Sequence, residues 1–173
     1  AEAGVKRFVF VSSIKVNGEF SEPNLPFEPN LNNTPQDPYG LSKYEAEVEL
    51  AKLSKEIDLE VVIIRPPLVY GPGVKANFLS MMRLIDKGIP LPFGAIKNQR
   101  SLVYLDNLSN LILTCCEHPL APGYTFLASD DHDVSTTQLM RTIALSMGKS
   151  SRLIPIPMSW IQAGSSALKK KHI

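Results

Sequence analysis

The stretch Asp37-Pro38-Tyr39-Gly40-Leu41-Ser42-Lys43 sets a tyrosine and a lysine four residues apart, immediately after a helix-start signal. Asp37 is a capping residue type, and Pro38 suits the first helical position, where its missing N–H would be unpaired anyway. The pattern then continues as a helix to about Ile57. Positions i and i+4 share one helical face, so Tyr39 and Lys43 can meet. An ammonium near a phenol favours the phenolate, and a tyrosine so tuned can take a proton from an alcohol near neutral pH. Alone, the spacing is better explained by a solvated pair on an amphipathic helix. Its neighbours along the chain change that balance.

Upstream, Phe8-Val9-Phe10-Val11 is a short apolar run that reads as a buried strand, with Ser12-Ser13 at its carboxyl end. Ligands of open parallel sheets sit beyond the carboxyl ends of the strands, and a serine hydroxyl there can donate to or accept from a substrate oxygen. Downstream, Val61-Val62-Ile63-Ile64 is a second buried-strand run. It is followed by Arg65-Pro66-Pro67-Leu68-Val69-Tyr70-Gly71-Pro72-Gly73. Two prolines cannot continue a sheet ladder, so the chain is expected to leave the sheet as a rigid loop, tightened by Gly71 and Gly73.

The remaining path alternates in the same way. Asn77 to Lys87 reads as a helix ended by Gly88. Leu91 to Phe93 is a short strand candidate. Ser101 to Leu105 reads as a strand, and Asp106 as the cap of a helix reaching about His118. Tyr124 to Ala128 is a further strand. Ser135-Thr136-Thr137-Gln138 is a capping-box pattern opening a helix that ends near Gly148. Strands alternating with helices predict an α/β fold with a Rossmann-like parallel sheet. The proline-rich stretch from Ser21 to Pro38 is a long loop, of the kind that is often functional.

Composition is that of one globular piece. The chain has 173 residues, 44% hydrophobic and 20% charged, enough to bury a sizeable core. A net charge of +1 argues against a nucleic-acid or membrane-surface binder, and Lys169-Lys170-Lys171 reads as a solvated end. No run of about eighteen apolar residues suggests a membrane span, and no signal peptide is visible. Cys115 and Cys116 are adjacent in a helical pattern, where a disulfide would be strained; reduced, packed thiols in a cytoplasmic protein are expected. His118, His132 and His172 lack partners at metal-ligand spacing, so no metal site is expected.

Strand-Ser-Ser, then Tyr-x-x-x-Lys, then Val-Ile-Ile-Arg-Pro-Pro-x-x-Val-Tyr-Gly-Pro-Gly is an order that resembles the extended short-chain dehydrogenase/reductases, in their nucleotide-sugar epimerase/dehydratase branch. Pro90-Leu91-Pro92-Phe93-Gly94 and Asn98 through Leu108 are similar to the nucleotide-sugar-binding half of polysaccharide-locus members that are UDP-glucose 4-epimerase-like or 4-keto-sugar reductases. Family members begin with a Gly-x-x-Gly-x-x-Gly turn that cradles the dinucleotide pyrophosphate. None of the ten glycines here makes that spacing after a strand. The chain therefore resembles the carboxyl-terminal portion of such an enzyme. Residues 1–73 are expected to be the later part of the NAD-binding domain and 74–173 mainly the substrate-binding region, interleaved with the first. Alone, the chain is expected to bind the nicotinamide cofactor poorly and to be inactive.

The resemblance implies roles position by position. Ser13, five before Gly18, matches the hydroxyl that hydrogen-bonds the sugar's reacting oxygen. Tyr39 matches the general acid/base, and Lys43 the residue that binds the nicotinamide ribose and favours the tyrosinate. Pro66, Pro67 and Leu68 match the loop against the nicotinamide. Asn77 and Phe78 match a pair at the diphosphate and uridine, although Asn77 could equally be a helix cap. Leu91 and Phe93 match the lining of the uracil pocket. Arg100 matches the arginine that holds a substrate phosphate, for which a guanidinium fork is suited. Asn17 departs from the tyrosine many epimerases carry before Gly18.

The implied activity is NAD-dependent 4-epimerisation of a UDP-hexose or UDP-N-acetylhexosamine through a transient 4-keto sugar, in surface polysaccharide synthesis. The cofactor, NAD or NADP, carries the hard step. An NAD(P)H-dependent reductase of a UDP-4-keto-6-deoxy sugar would use the same residues. A dehydratase fits less well, because Ser12-Ser13-Ile14-Lys15 lacks that subgroup's acidic pair. Steroid-type dehydrogenases share the Tyr-Lys and Arg-Pro motifs but bind apolar substrates, so Arg100 and Asn77 favour a diphosphate. A non-catalytic, cofactor-sensing member would not need Ser13, Tyr39 and Lys43 intact. A UDP-linked substrate and a homodimer are the expected partners, with no nucleic acid or membrane.

Overall fold

In the computed structural model, which describes residues 4–22, 25–30 and 34–157, two parallel sheets form from the apolar runs. The first has the order β1-β2-β5, with β1 Arg7–Val11, β2 Glu60–Arg65 and β5 Thr125–Leu127. Val9 lies opposite Val62, and Ile64 opposite Phe126. The second pairs β3, Leu68–Tyr70, with β4, Leu102–Tyr104. The helices are α1 Pro38–Glu56, α2 Ala76–Asp86, α3 Leu105–Glu117 and α4 Thr136–Ser146. A 3-10 turn, Ile14–Val16, follows β1 directly.

The chain divides into two compact units. The first comprises Ala1–Pro72 and Leu102–Asp131; the second comprises Gly73–Ser101 and His132–Ile173. In the first unit, α1 packs on β2 and on the 3-10 turn, and α3 packs on β1 and β4. Their shared core holds Val62, Ile64, Val103, Leu108 and Cys115. Each such Val, Ile or Leu contributes about 1.5–3 kcal/mol by leaving water. Arg7 fastens α3 to β1: its Nη1 donates to the carbonyls of Cys115, Cys116 and His118 at 2.9–3.0 Å, and its Nε pairs with Glu60. A cation there complements the negative end of the helix.

In the second unit α2 packs on α4, whose Leu139, Met140, Ile143 and Ala144 are buried. Ser135 caps α4 by accepting from Gln138 N at 3.0 Å, and Asn98 Oδ1 accepts from Thr136 N.

Several local expectations need correction. Phe8 and Val11 are 43% and 37% exposed, so β1 is not a buried strand; among the described residues it is hydrogen-bonded along one edge only. The segment after Arg65 is not all loop. The prolines do end the ladder of β2, but Leu68–Tyr70 then enters a second sheet as β3. Leu91 makes only an isolated bridge, to Leu153. Asp106 lies in the first turn of α3 rather than at its cap, which is Tyr104. Cys115 is buried but Cys116 is exposed, so only one thiol is packed. In the described part of Ser21 to Pro38, before α1, there is only an isolated Glu22–Leu25 bridge. The Lys169–Lys171 run lies outside the described residues. Among the described residues no helix is long and apolar enough to cross a membrane.

Candidate active site

The carboxyl ends of β1 and β2 are tied by backbone hydrogen bonds that bracket Ser13. Ser12 N donates to Ile64 O at 2.7 Å, and Ile14 N donates to Pro66 O at 3.0 Å. Ser13 is buried, and its Oγ accepts from Lys15 N at 3.2 Å, capping the 3-10 turn. Its neighbour Ser12 is buried too, and the Ser12 hydroxyl is without a hydrogen-bond partner among the described residues.

Helix α1 comes against this turn because Gly40 has no side chain. A Cβ at Gly40 would stand 2.7 Å from Lys15 O and 2.5 Å from Asp37 Oδ2, inside any normal contact. Asp37 accepts from Gly40 N at 3.0 Å and so caps the helix as its sequence predicts. Tyr39 and Ser13 are therefore brought to adjoining backbone segments. Tyr39 is 54% exposed, and its hydroxyl makes no hydrogen bond among the described residues, to Ser13 or to Lys43. Lys43 is half-buried. Its Nζ donates to Val11 O at 3.2 Å and stands 4.9 Å from the centroid of the Phe10 ring. Both contacts hold a cation over the end of β1. Pro66 is buried, Pro67 is half-buried, and Leu68 opens β3.

Behind these residues lies a pair that motif reading passed over. Arg65 and Glu47 are 3% and 5% exposed, yet both are ionisable. Arg65 Nε donates to Glu47 Oε1 at 3.0 Å and Nη2 donates to Glu47 Oε2 at 2.5 Å, a two-point fork. Nη1 donates to Asn17 Oδ1 at 3.0 Å and to Pro29 O at 2.9 Å. Asn17 Nδ2 in turn donates to Glu28 O at 2.6 Å. The signal was present in the sequence: Glu47 repeats the four-residue spacing of Tyr39 and Lys43, which places it on their face of the helix.

A second polar cluster centres on Asp130. It accepts from Tyr70 OH at 2.9 Å, from Tyr104 N at 2.9 Å and from Asn107 Nδ2 at 2.8 Å. Burial pushes its carboxyl up, but these hydrogen bonds outweigh burial and hold it below the usual carboxylate value. Burial first, then the bond to Asp130 and its charge, push the Tyr70 phenol up. Gly71 follows at φ +144, where a Cβ would come 2.9 Å from Leu105 Cβ. These contacts lock the end of β3 to the start of α3.

The other candidates lie in the second unit. Asn77 is exposed in the first turn of α2, whose cap is Lys75, so Asn77 is not the helix cap. Phe78 is half-buried on the same helix. Leu91 is buried, with its backbone bonded to Arg152 O and Ile154 N. Phe93 is half-buried, and its carbonyl accepts from Thr137 Oγ1 at 2.5 Å. The backbone of Arg100 pairs with Val134 in both directions, and its exposed guanidinium makes no hydrogen bond or ion pair among the described residues. Among the described residues this unit carries eight Lys or Arg against two Asp, a net +6. The first unit carries seven against fourteen Asp or Glu, a net −7. The near-zero total conceals this division.

An apolar cavity of 470 Å³, lined by residues such as Leu111, Cys115, Tyr124 and Phe126, lies elsewhere, at the carboxyl end of α3 and the amino end of β5. It has no part in the Ser13–Tyr39 geometry.

The chain is 56% identical over 158 residues to the UDP-glucose 4-epimerase of Vibrio cholerae, covering 91% of this chain and 48% of that protein. It is 29% identical to the N-acetyl-alpha-D-glucosaminyl-diphospho-ditrans,octacis-undecaprenol 4-epimerase of Escherichia coli O157:H7, over 91% of this chain and 48% of that one. The chain thus spans about half the length of the curated relatives it matches. The structure of a UDP-N-acetylglucosamine 4-epimerase from Methanobrevibacter ruminantium M1 shares the fold, with a TM-score of 0.74 at 20% identity, over 90% of this chain and 52% of that one. The model of the NAD dependent epimerase/dehydratase family matches residues 1–126, and the chain belongs to that family.

Proposed function

We propose that this chain carries the proton-transfer residues and the nucleotide-sugar region of an NAD-dependent 4-epimerase. Its substrate would be a UDP-hexose or UDP-N-acetylhexosamine, epimerised through a transient 4-keto sugar in surface polysaccharide synthesis. The observation that carries this is the convergence of Ser13, Tyr39 and Pro66 at the carboxyl ends of β1 and β2, enforced by the Gly40–Lys15 approach and the Ile14–Pro66 hydrogen bond. The 56% identity to the Vibrio cholerae UDP-glucose 4-epimerase supports the same substrate class.

Tyr39 takes the proton of the sugar 4-hydroxyl and later returns it; its exposed hydroxyl, without a hydrogen bond among the described residues, leaves room for that exchange. Ser13 hydrogen-bonds the same sugar oxygen and fixes its position. Lys43 holds positive charge over the end of β1, beside the site. Among the described residues its one hydrogen bond is to Val11 O, which leaves N–H groups for a ribose hydroxyl. The buried Ser12 hydroxyl, without a partner among the described residues, fits a further polar ligand group at the same strand end. Tyr39, Lys43 and the Pro66–Leu68 segment are the residues here that would hold the nicotinamide end of NAD, with NADP as the alternative. When bound, NAD supplies the acceptor and donor for the C4 hydride.

The second unit supplies the nucleotide side. A net charge of +6 among its described residues favours a diphosphate, and the guanidinium of Arg100, without a partner among the described residues, suits one phosphate as a two-point donor. Asn77, Phe78, Leu91 and Phe93 are the accompanying contacts. The location is cytoplasmic and the assembly a homodimer, which light scattering of the protein tests. Calorimetric titration of UDP, UDP-glucose and UDP-GlcNAc into wild type and Arg100→Ala tests the substrate class. UDP binding weakened about 10- to 100-fold by the substitution supports it, the loss expected when a charged hydrogen bond goes. A folded protein that binds none of the three would overturn it and favour an apolar, steroid-type substrate.

A further inference from the structure

Three segments carry the proton-transfer residues and their loop: the turn after β1 with Ser13, helix α1 with Tyr39 and Lys43, and the exit of β2 with Pro66. One buried cation touches all three. Arg65 is itself the last residue of β2. Its fork grips Glu47 on the Tyr39 face of α1. Its remaining amino group holds Asn17, which closes the 3-10 turn that Ser13 opens, the Asn17 N–H donating to Ile14 O at 2.9 Å. The same amino group holds Pro29 O, and Asn17 holds Glu28 O, so the loop returning toward α1 is gripped twice.

We infer that Arg65, Glu47 and Asn17 are positioning residues for the proposed epimerisation, setting the separation of the Ser13 and Tyr39 hydroxyls around the sugar 4-oxygen. The inference rests on the function proposed above. Among the described residues none of the three hydrogen-bonds the Ser13 or Tyr39 hydroxyl, so each is assigned a positioning role and not a catalytic one.

A buried ion pair is a poor source of stability, because desolvating both charges offsets most of their attraction. Apolar replacements of similar volume are often neutral or stabilising, whereas removing one partner leaves a buried charge unpaired. Such a pair can instead fix geometry. A fork to Glu47 and a bond to Asn17 constrain both direction and distance, and proton transfer demands placement within about half an ångström. Asn17 fits the same terms: its amide accepts from Arg65 through Oδ1 and donates to Glu28 O through Nδ2, so one planar group joins the turn, the cation and the loop.

The test uses the full-length protein with UDP-glucose. The double variant Arg65→Met/Glu47→Leu removes both charges and keeps the volume. It is expected to bind UDP with wild-type stoichiometry and affinity, because the nucleotide candidates belong to the other unit. Its kcat is expected to fall about 100-fold with KM little changed, the scale of a 1 Å misplacement. The pH profile of kcat should also move, since Tyr39 no longer meets the substrate oxygen as before. Loss of folded enzyme would instead reduce the UDP stoichiometry and leave the profile in place. Asn17→Ala should shift kcat and the profile in the same direction, and it decides the matter alone if the double variant does not fold. Variants that bind UDP fully and keep kcat and the pH profile within twofold would overturn the inference. A wild type that binds UDP but epimerises neither a UDP-hexose nor a UDP-N-acetylhexosamine would instead sink the functional proposal, and the inference with it.

Discussion

Replacing Gly40 by alanine separates two effects of opposite sign. Gly40 is in the first turn of α1, where alanine is ordinarily worth about 1 kcal/mol over glycine. Helix propensity alone therefore predicts a more stable protein. The structure predicts the reverse. The new Cβ would stand 2.5 Å from Asp37 Oδ2 and 2.7 Å from Lys15 O, with Lys15 C at 3.2 Å. The Asp37 carboxylate can swing away, but it then abandons the cap it provides to Gly40 N, at a cost of about 0.5–2 kcal/mol. Lys15 O belongs to the backbone of the 3-10 turn and moves only by overpacking strain of about 1–3 kcal/mol. Against the propensity gain, the net is a loss of about 2 kcal/mol. At this chain length that is a fall in Tm of about 4–8 °C. Urea denaturation followed by circular dichroism measures the first quantity and a thermal scan the second. The variant should also lose turnover, since Tyr39 adjoins the displaced residue. A Gly40→Ala protein as stable as wild type, or more so, would refute the close packing of α1 on the Ser13 turn.

Two further predictions concern the scaffold. Arg7→Met removes three hydrogen bonds to the end of α3 and the pair with Glu60, and should cost about 2 kcal/mol in urea melts; no change would mean the helix end is satisfied by water alone. Asp130 is held below the usual carboxylate value, so it contributes stability above about pH 4 that is lost as pH falls through its lowered folded-state value. Tyr70 is pushed up, so its contribution is present below about pH 10 and lost as pH rises through the raised value. Asp130→Asn should flatten the acid limb of the stability–pH curve, and Tyr70→Phe the alkaline limb; an acid limb unchanged in Asp130→Asn would contradict the cluster.

Elements whose signals are local were legible in the sequence. Asp37 before Pro38 gave the start of α1, Ser135 before Gln138 gave that of α4, and Val61 to Ile64 gave β2 within a residue. Elements defined by distant partners were not. Leu68–Tyr70 becomes a strand only because Leu102–Tyr104 lies beside it, and the double proline speaks only to the sheet being left. Phe8 and Val11 have the residue types of a buried strand, but residue type does not say how many neighbours an edge has. Asp106 has the right chemistry for a cap, yet α3 already begins at Leu105, directly after β4, with Tyr104 at the cap position and its N–H held by the distant Asp130. At the candidate site, motif spacing pointed to Ser13, Tyr39 and Lys43, the residues of the proposed proton transfer. It could not find Arg65, because a charged residue between a strand and two prolines looks solvated until Glu47 is seen to reach it.

The same limit applies to charge. A total of +1 suggests indifference to anions only if the charges are mixed in space. Here they are sorted, at −7 and +6 among the described residues of the two units. At physiological ionic strength a charge is felt over about 8 Å. A ligand as small as a diphosphate therefore responds to the unit it touches and not to the sum over the chain. The total carries no weight against a nucleotide held by the basic unit, where Arg100 offers a guanidinium that no carboxylate among the described residues neutralises.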